Sequence, residues 1–177
     1  INEENLHNAA SGSALKAADK AGPNTYPQPQ YWVLAESVPP ALRAPWTLGY
    51  RDIARATDVR TMIACITPTV TAGNTLPLLA SPELHAPSAA LVLANLNSLA
   101  FDYVARQKAQ STHLNWYILE QLPVIAPERF EASIGGVKIV DFIREQVLHL
   151  SYTANALAPF ARVLGHLDAQ GEVLPPF

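Results

Sequence analysis

Apolar residues along this chain change their spacing near Pro87. Before it they come in short runs broken by Pro and Gly, and after it they recur at helical intervals. The short runs are "YWVLAE", "WTLGYRDIA", "RTMIACITP" and "TAGNTLPLL"; each predicts a strand, with Pro39-Pro40, Pro68 and Gly73-Asn74 supplying breaks and turns. Past Pro87, Val92, Leu96, Leu99 and Tyr103 fall at i, i+4, i+7 and i+11. They predict a helix from an N-cap at Ser88 to near Lys108, where Arg106 and Lys108 complement its C-terminal dipole. Val140, Ile143, Val147 and Leu150 form a second stripe. Leu157, Phe160, Ala161 and Leu164 form a third, kinked or shortened by Pro159 and stopped by Gly165. The fold class predicted is α/β (α+β): a small mixed or antiparallel sheet, a central helix and a C-terminal helical pair.

Composition divides the chain. Residues 1–29 are rich in Ala, Asn, Ser and Pro, lack a steady apolar period and read as a linker or partly disordered arm. Residues 30–136 form the predicted α/β domain and residues 137–177 a C-terminal helical segment. With 177 residues, 49% hydrophobic and 15% charged, the chain can bury a sizeable core. Every apolar run is interrupted before it reaches membrane-spanning length, so no membrane partner and a cytoplasmic location are expected. Cys65 is the single cysteine, and the five histidines show no ligand spacing, so neither a disulfide nor a metal site is expected. The start at Ile1, with no signal-peptide pattern, and the end at "VLPPF" read as a fragment of a longer protein.

Catalytic patterns are missing from the sequence. No G-x-S-x-G, phosphate-binding G-x-x-x-x-G-K-[ST] or G-x-G-x-x-G occurs, so no catalytic residue is assigned. Attention falls instead on "DYVARQKAQSTHLNWYILEQLPV", which concentrates polar and aromatic side chains suited to phosphates and base edges.

The runs "YRDIARATDVRTMIACITP", "GNTLPLL" and "ALVLANLNSLAFDYVARQKAQSTHLNWYILEQLPV" resemble the target-recognition region of large adenine-N6 DNA methyltransferases: Type IIG restriction-modification enzymes and the methylases of the BREX and DISARM phage-defence systems. The succession "LNS…QST…LEQLPV" is also similar to target-recognition domains of Type I specificity subunits. The resemblance spans roughly residues 30–165. It implies a target-recognition-domain-like fold and a sequence-reading role on double-stranded DNA within a bacterial, site-specific, adenine-specific methyltransferase, with or without a fused endonuclease. Catalysis and S-adenosylmethionine would then belong to an upstream methyltransferase domain of the same chain, with no cofactor held here. "LPPF" at the C-terminus has Leu174 where the family's N-P-P-[YFW] motif needs Asn, and Ala109-Gln110-Ser111 stands where the family usually has a Gly-Gly pair.

The DNA-binding candidates are Arg51, Arg55, Arg60, Asn74, Arg106, Gln107, Lys108, Thr112, His113 and Asn115. Arg51, Arg55 and Arg60 suit phosphate or guanine contacts, or are ion-paired with Asp52 and Asp58. Arg106, Gln107 and Lys108 read equally as a cationic helix end. His113 and Asn115 are base-edge candidates; a carbonyl-bonded His and a helix-capping Asn are the alternatives. Asn74 suits a turn or a base contact, and Trp116 and Tyr117 are expected in the core. The net charge of −3 and the apolar helical stripes support a different function, a protein-protein docking module without nucleic-acid contact.

Overall fold

The computed structural model describes residues 18, 21–25, 32–68, 72–81 and 84–177; most of the predicted arm lies outside these. The fold is mixed α/β, with two small antiparallel sheets. Strands β1 (Trp46–Tyr50), β2 (Ala64–Pro68) and β3 (Leu78–Leu79) pair in the order β2-β1-β3. In the register, Leu48 faces Ile66 on one side and Leu79 on the other. Gly49 lets β3 approach, since a Cβ there would meet Pro77 O at 3.2 Å and Leu78 Cδ2 at 3.2 Å. The predicted first strand does not form. Trp32 to Leu34 are irregular and exposed, and a short 3-10 turn, Ala35–Ser37, precedes Pro39-Pro40. Carbonyls of this segment serve the turn instead: Leu34 O accepts from Ser37 N at 2.9 Å and Ala35 O from Val38 N at 3.2 Å.

The predicted central helix is two helices, α1 (Ala86–Leu96) and α2 (Leu99–Lys108), bent by 63° at Asn97-Ser98. Asn97 Oδ1 accepts from Ala64 N and its Nδ2 donates to Ala64 O, both at 2.9 Å, so its side chain completes the edge of β2. Ser98 then caps α2, its Oγ accepting from Phe101 N at 3.1 Å. The break turns the second half of the predicted stripe outward: Leu99 and Tyr103 are exposed, and α2 buries Phe101, Asp102 and Ala105 instead. Ser88 is not the cap of α1, which starts earlier, with Pro87 in its first turn.

A four-residue helix α3 (Trp116–Leu119) follows. The hairpin β4 (Ser133–Ile134) and β5 (Val137–Lys138) turns through Gly135 and Gly136, whose φ values of 60° and 83° suit a tight two-residue turn. Helix α4 (Ile139–Ser151) packs on α1 through Val147 and Leu148, while Leu150, the last residue of its predicted stripe, is exposed. Pro159 opens α5 (Ala158–Val163) rather than kinking it. Gly165, at φ 83°, ends α5, with His166 N donating to Ala161 O at 3.1 Å.

One main core joins both predicted segments. Leu48, Tyr50, Met62 and Leu114 meet Val147, Tyr152 and Phe160 there, and Phe160 packs edge-on to Trp46 at 5.2 Å. Each large apolar side chain so buried contributes about 1.5 to 3 kcal/mol. Among the described residues no single helix is long and apolar enough to cross a membrane.

Candidate nucleic-acid interface

The loop that leaves β1 carries Arg51, Arg55 and Arg60, and three other segments are tied to it. Asp52 N donates to Thr75 O at 3.1 Å, which sets the turn holding Asn74 beside it. Ile53 and His113 form an isolated antiparallel bridge; Ala54 N donates to Thr112 O at 3.0 Å and Leu114 N to Asp52 O at 2.7 Å. Helix α2 reaches the loop through Arg106. The sequence-predicted residues therefore lie on segments that converge, although up to 61 positions separate their hydrogen-bonded side chains.

Asp102 organises the inner part. Its Oδ1 accepts from Met62 N at 2.7 Å, Arg60 Nε lies 3.5 Å from the same oxygen, and its Oδ2 accepts from Arg106 Nη2 at 3.2 Å. Burial pushes this carboxyl up, but the Met62 N–H, the Arg106 guanidinium, the Arg60 charge and the Thr61 N–H together hold it below the ordinary carboxylate value. The arginines also grip backbone: Arg106 donates to Ala56 O at 2.6 Å and Val59 O at 3.1 Å, Arg60 to Asn97 O at 2.6 Å, and Arg51 to Arg60 O at 2.7 Å. Arg51 pairs with Asp58 at 3.3 Å, and Asp58 also accepts from Arg55 N. Arg51, Arg60 and Arg106 thus fix the shape of residues 51–62.

The outer part is arranged differently. Arg55, Gln107, Lys108, Thr112, His113 and Asn115 are exposed. Lys108 Nζ has only a long contact, 3.5 Å, to Gln121 Oε1, and the Arg55 guanidinium has no partner among the described residues. His113 Nδ1 lies 2.5 Å from Asp52 Oδ2, so its partner is a carboxylate and not the carbonyl the sequence offered. Asp52 therefore pairs with this histidine, while Asp58 takes Arg51. Burial first, and then the Asp52 charge, push the Tyr50 phenol up. Asn115 occupies the N-cap position of α3, where its backbone oxygen accepts from Ile118 N at 2.9 Å but its side chain makes no capping bond. Trp116 and Tyr117, expected in the core, are 55% and 60% exposed; α3 is so short that Ile118 and Leu122 suffice to anchor it.

The sequence offered Asp52 and Asp58 as partners of the loop arginines, which Asp58 is for Arg51, whereas Asp102 and Asn97 were missed as residues that shape this face. Asp102 carried a signal, because it stands four residues before Arg106 on one helix. Cys65 lies apart, in a cavity of about 330 Å³ lined also by Leu93, Asn97, Leu150 and Leu157. Burial raises its thiol pKa, which keeps it protonated and a weak nucleophile. Among the described residues no group of three or more His, Cys, Asp or Glu is placed to hold a metal ion. No family model matches this chain, and no match to it was found among the curated proteins or the solved structures.

Proposed function

We propose that the chain is the DNA sequence-recognition domain of a bacterial adenine-specific DNA methyltransferase from a restriction-modification or phage-defence system. The observation that supports this most is the convergence just described: the Arg51–Arg60 loop, the end of α2 and residues 109–115 are joined by hydrogen bonds, with Arg55, Lys108 and His113 exposed on them. On this reading Arg60 and Arg106 brace the loop, while Arg55, Lys108, Gln107, Thr112, His113 and Asn115 meet the duplex, with Arg51 and Asn74 at its edge. Phosphate contacts position such a surface and base-edge contacts specify. Few cations face outward on a chain of net charge −3, so affinity is weak and falls with salt. S-adenosylmethionine and the flipped adenine would be handled by a methyltransferase domain of the same protein in the bacterial cytoplasm.

Titration of the chain with duplex DNA at low and physiological salt tests this proposal. A binding constant that falls steeply with salt supports it, and indifference to salt, or no binding at low salt, overturns it. Calorimetry with S-adenosylmethionine alone should show no specific binding.

One observation favours the docking alternative. Leu99, Tyr103, Trp116 and Tyr117 are exposed on α2 and α3, which pack together. Replacing Tyr103 and Trp116 by polar residues lowers DNA affinity only if they touch the duplex. On the docking reading it leaves nucleic-acid behaviour unchanged.

A further inference from the structure

His113 is held by a side chain from a distant segment. Its Nδ1 contacts Asp52 Oδ2 at 2.5 Å, Leu114 N donates to Asp52 O at 2.7 Å and so joins the two segments, and the Ser111 hydroxyl donates to His113 O at 3.1 Å within its own turn. The Asp52 side chain is 11% exposed and that of His113 is 49% exposed, so the carboxylate is the inner member and the ring the outer one. An ionised carboxylate only accepts, which places a proton on Nδ1. The second ring nitrogen, Nε2, is not used by that bond. In the neutral imidazole it is then an acceptor whose orientation Asp52 and the paired backbone set before any ligand arrives.

We propose that Asp52 and His113 form one base-reading unit, in which Asp52 is a positioning residue and Nε2 of neutral His113 accepts a hydrogen bond from an exocyclic amino group in the major groove, N6 of adenine or N4 of cytosine. This rests on the DNA-recognition function proposed above. The chemistry selects between bases: the major-groove edges of adenine and cytosine present an amino donor, whereas guanine O6 and thymine O4 are acceptors and oppose an acceptor nitrogen. Losing one such single hydrogen bond costs roughly 2- to 13-fold in discrimination at one position.

The test is selection of a randomised DNA duplex library on the chain at low salt. The wild type is compared with H113A, H113Q, D52A and D52N, and the melting temperature of each is recorded. H113Q keeps a donor for Asp52 and so controls for a fold lost in H113A. The wild type should enrich a motif with adenine or cytosine at one position. H113A and D52A should lose the preference there and nowhere else. D52N removes the charge and can either accept from or donate to Nδ1, so the tautomer is no longer held and the preference at that position should weaken. If folded H113A retains the wild-type motif at every position, or D52A and D52N both keep the wild-type preference, the unit is overturned while DNA recognition stands. If the wild type neither binds nor enriches any duplex, the DNA function falls and this unit with it.

Discussion

Around Asp102 the charged side chains face inward; around His113 they face outward. Arg60 and Arg106 meet a buried carboxylate and a set of backbone carbonyls, and they hold residues 51–62 against α2. Arg55 and Lys108 stand on the same segments, carry the same charge and are committed to almost nothing. A cation in a polar window is assigned by geometry and not by residue type. A guanidinium's planar fork satisfies two carbonyls and a carboxylate at once, which makes it an effective brace where the backbone is irregular and has no ladder to join.

The sharpest way to break this comparison is Asp102→Ala. It leaves Arg60, Arg106 and the Met62 N–H without their shared acceptor, and should destabilise by about 3 to 5 kcal/mol in urea denaturation. A loss below about 1 kcal/mol would make Asp102 no more than a surface ion-pair partner. The acid limb tests the same residue. Because the folded carboxyl is held below its ordinary value, its contribution is fully present above the unfolded pKa of about 3.9 and disappears as pH falls through the lower folded value. Asp102→Asn should therefore flatten the fall in melting temperature below about pH 4. A parallel profile in both proteins would remove Asp102 from the acid response.

Arg106→Lys sharpens the comparison at intermediate size. An ammonium cannot span Ala56 O, Val59 O and Asp102 together, so about 1 to 2 kcal/mol should be lost in thermal melts although the charge is kept. Equal stability would mean that charge alone braces the loop. The smallest effect on folding belongs to the outer cations. Arg55→Ala and Lys108→Ala should each change stability by no more than about 0.5 kcal/mol. Each should lower duplex affinity and flatten its salt dependence by about one unit of slope, read from titrations at several salt concentrations. If they melt as early as Arg106→Lys and bind DNA unchanged, inner and outer cations do not differ.

Much of the fold was legible because it obeys local periods. "WTLGY" and "ACITP" announced strands, the apolar spacing after Pro87 announced helix, and the change at Lys108 marked its end where it lies. The β4–β5 hairpin carried a signal too, two adjacent glycines between Ile134 and Val137. The bend at Asn97-Ser98 was not legible as a bend. Helical spacing continues across it, and its cause is a side chain captured by β2 more than thirty positions away.

By itself the sequence determined where backbone hydrogen bonding is regular, because capping residues, prolines, glycines and apolar periods act over a few positions. It also determined which residue types crowd the face. Only the tertiary structure decided their employment: that Asp52 takes His113 and leaves Arg51 to Asp58, that Asp102 takes Arg60 and Arg106, and that Trp116 and Tyr117 face solvent. Those pairings span as many as 61 positions, and a hydrogen bond has no reach along the chain. It forms where the packed core brings donor and acceptor within about 3 Å, and no local spacing records that distance.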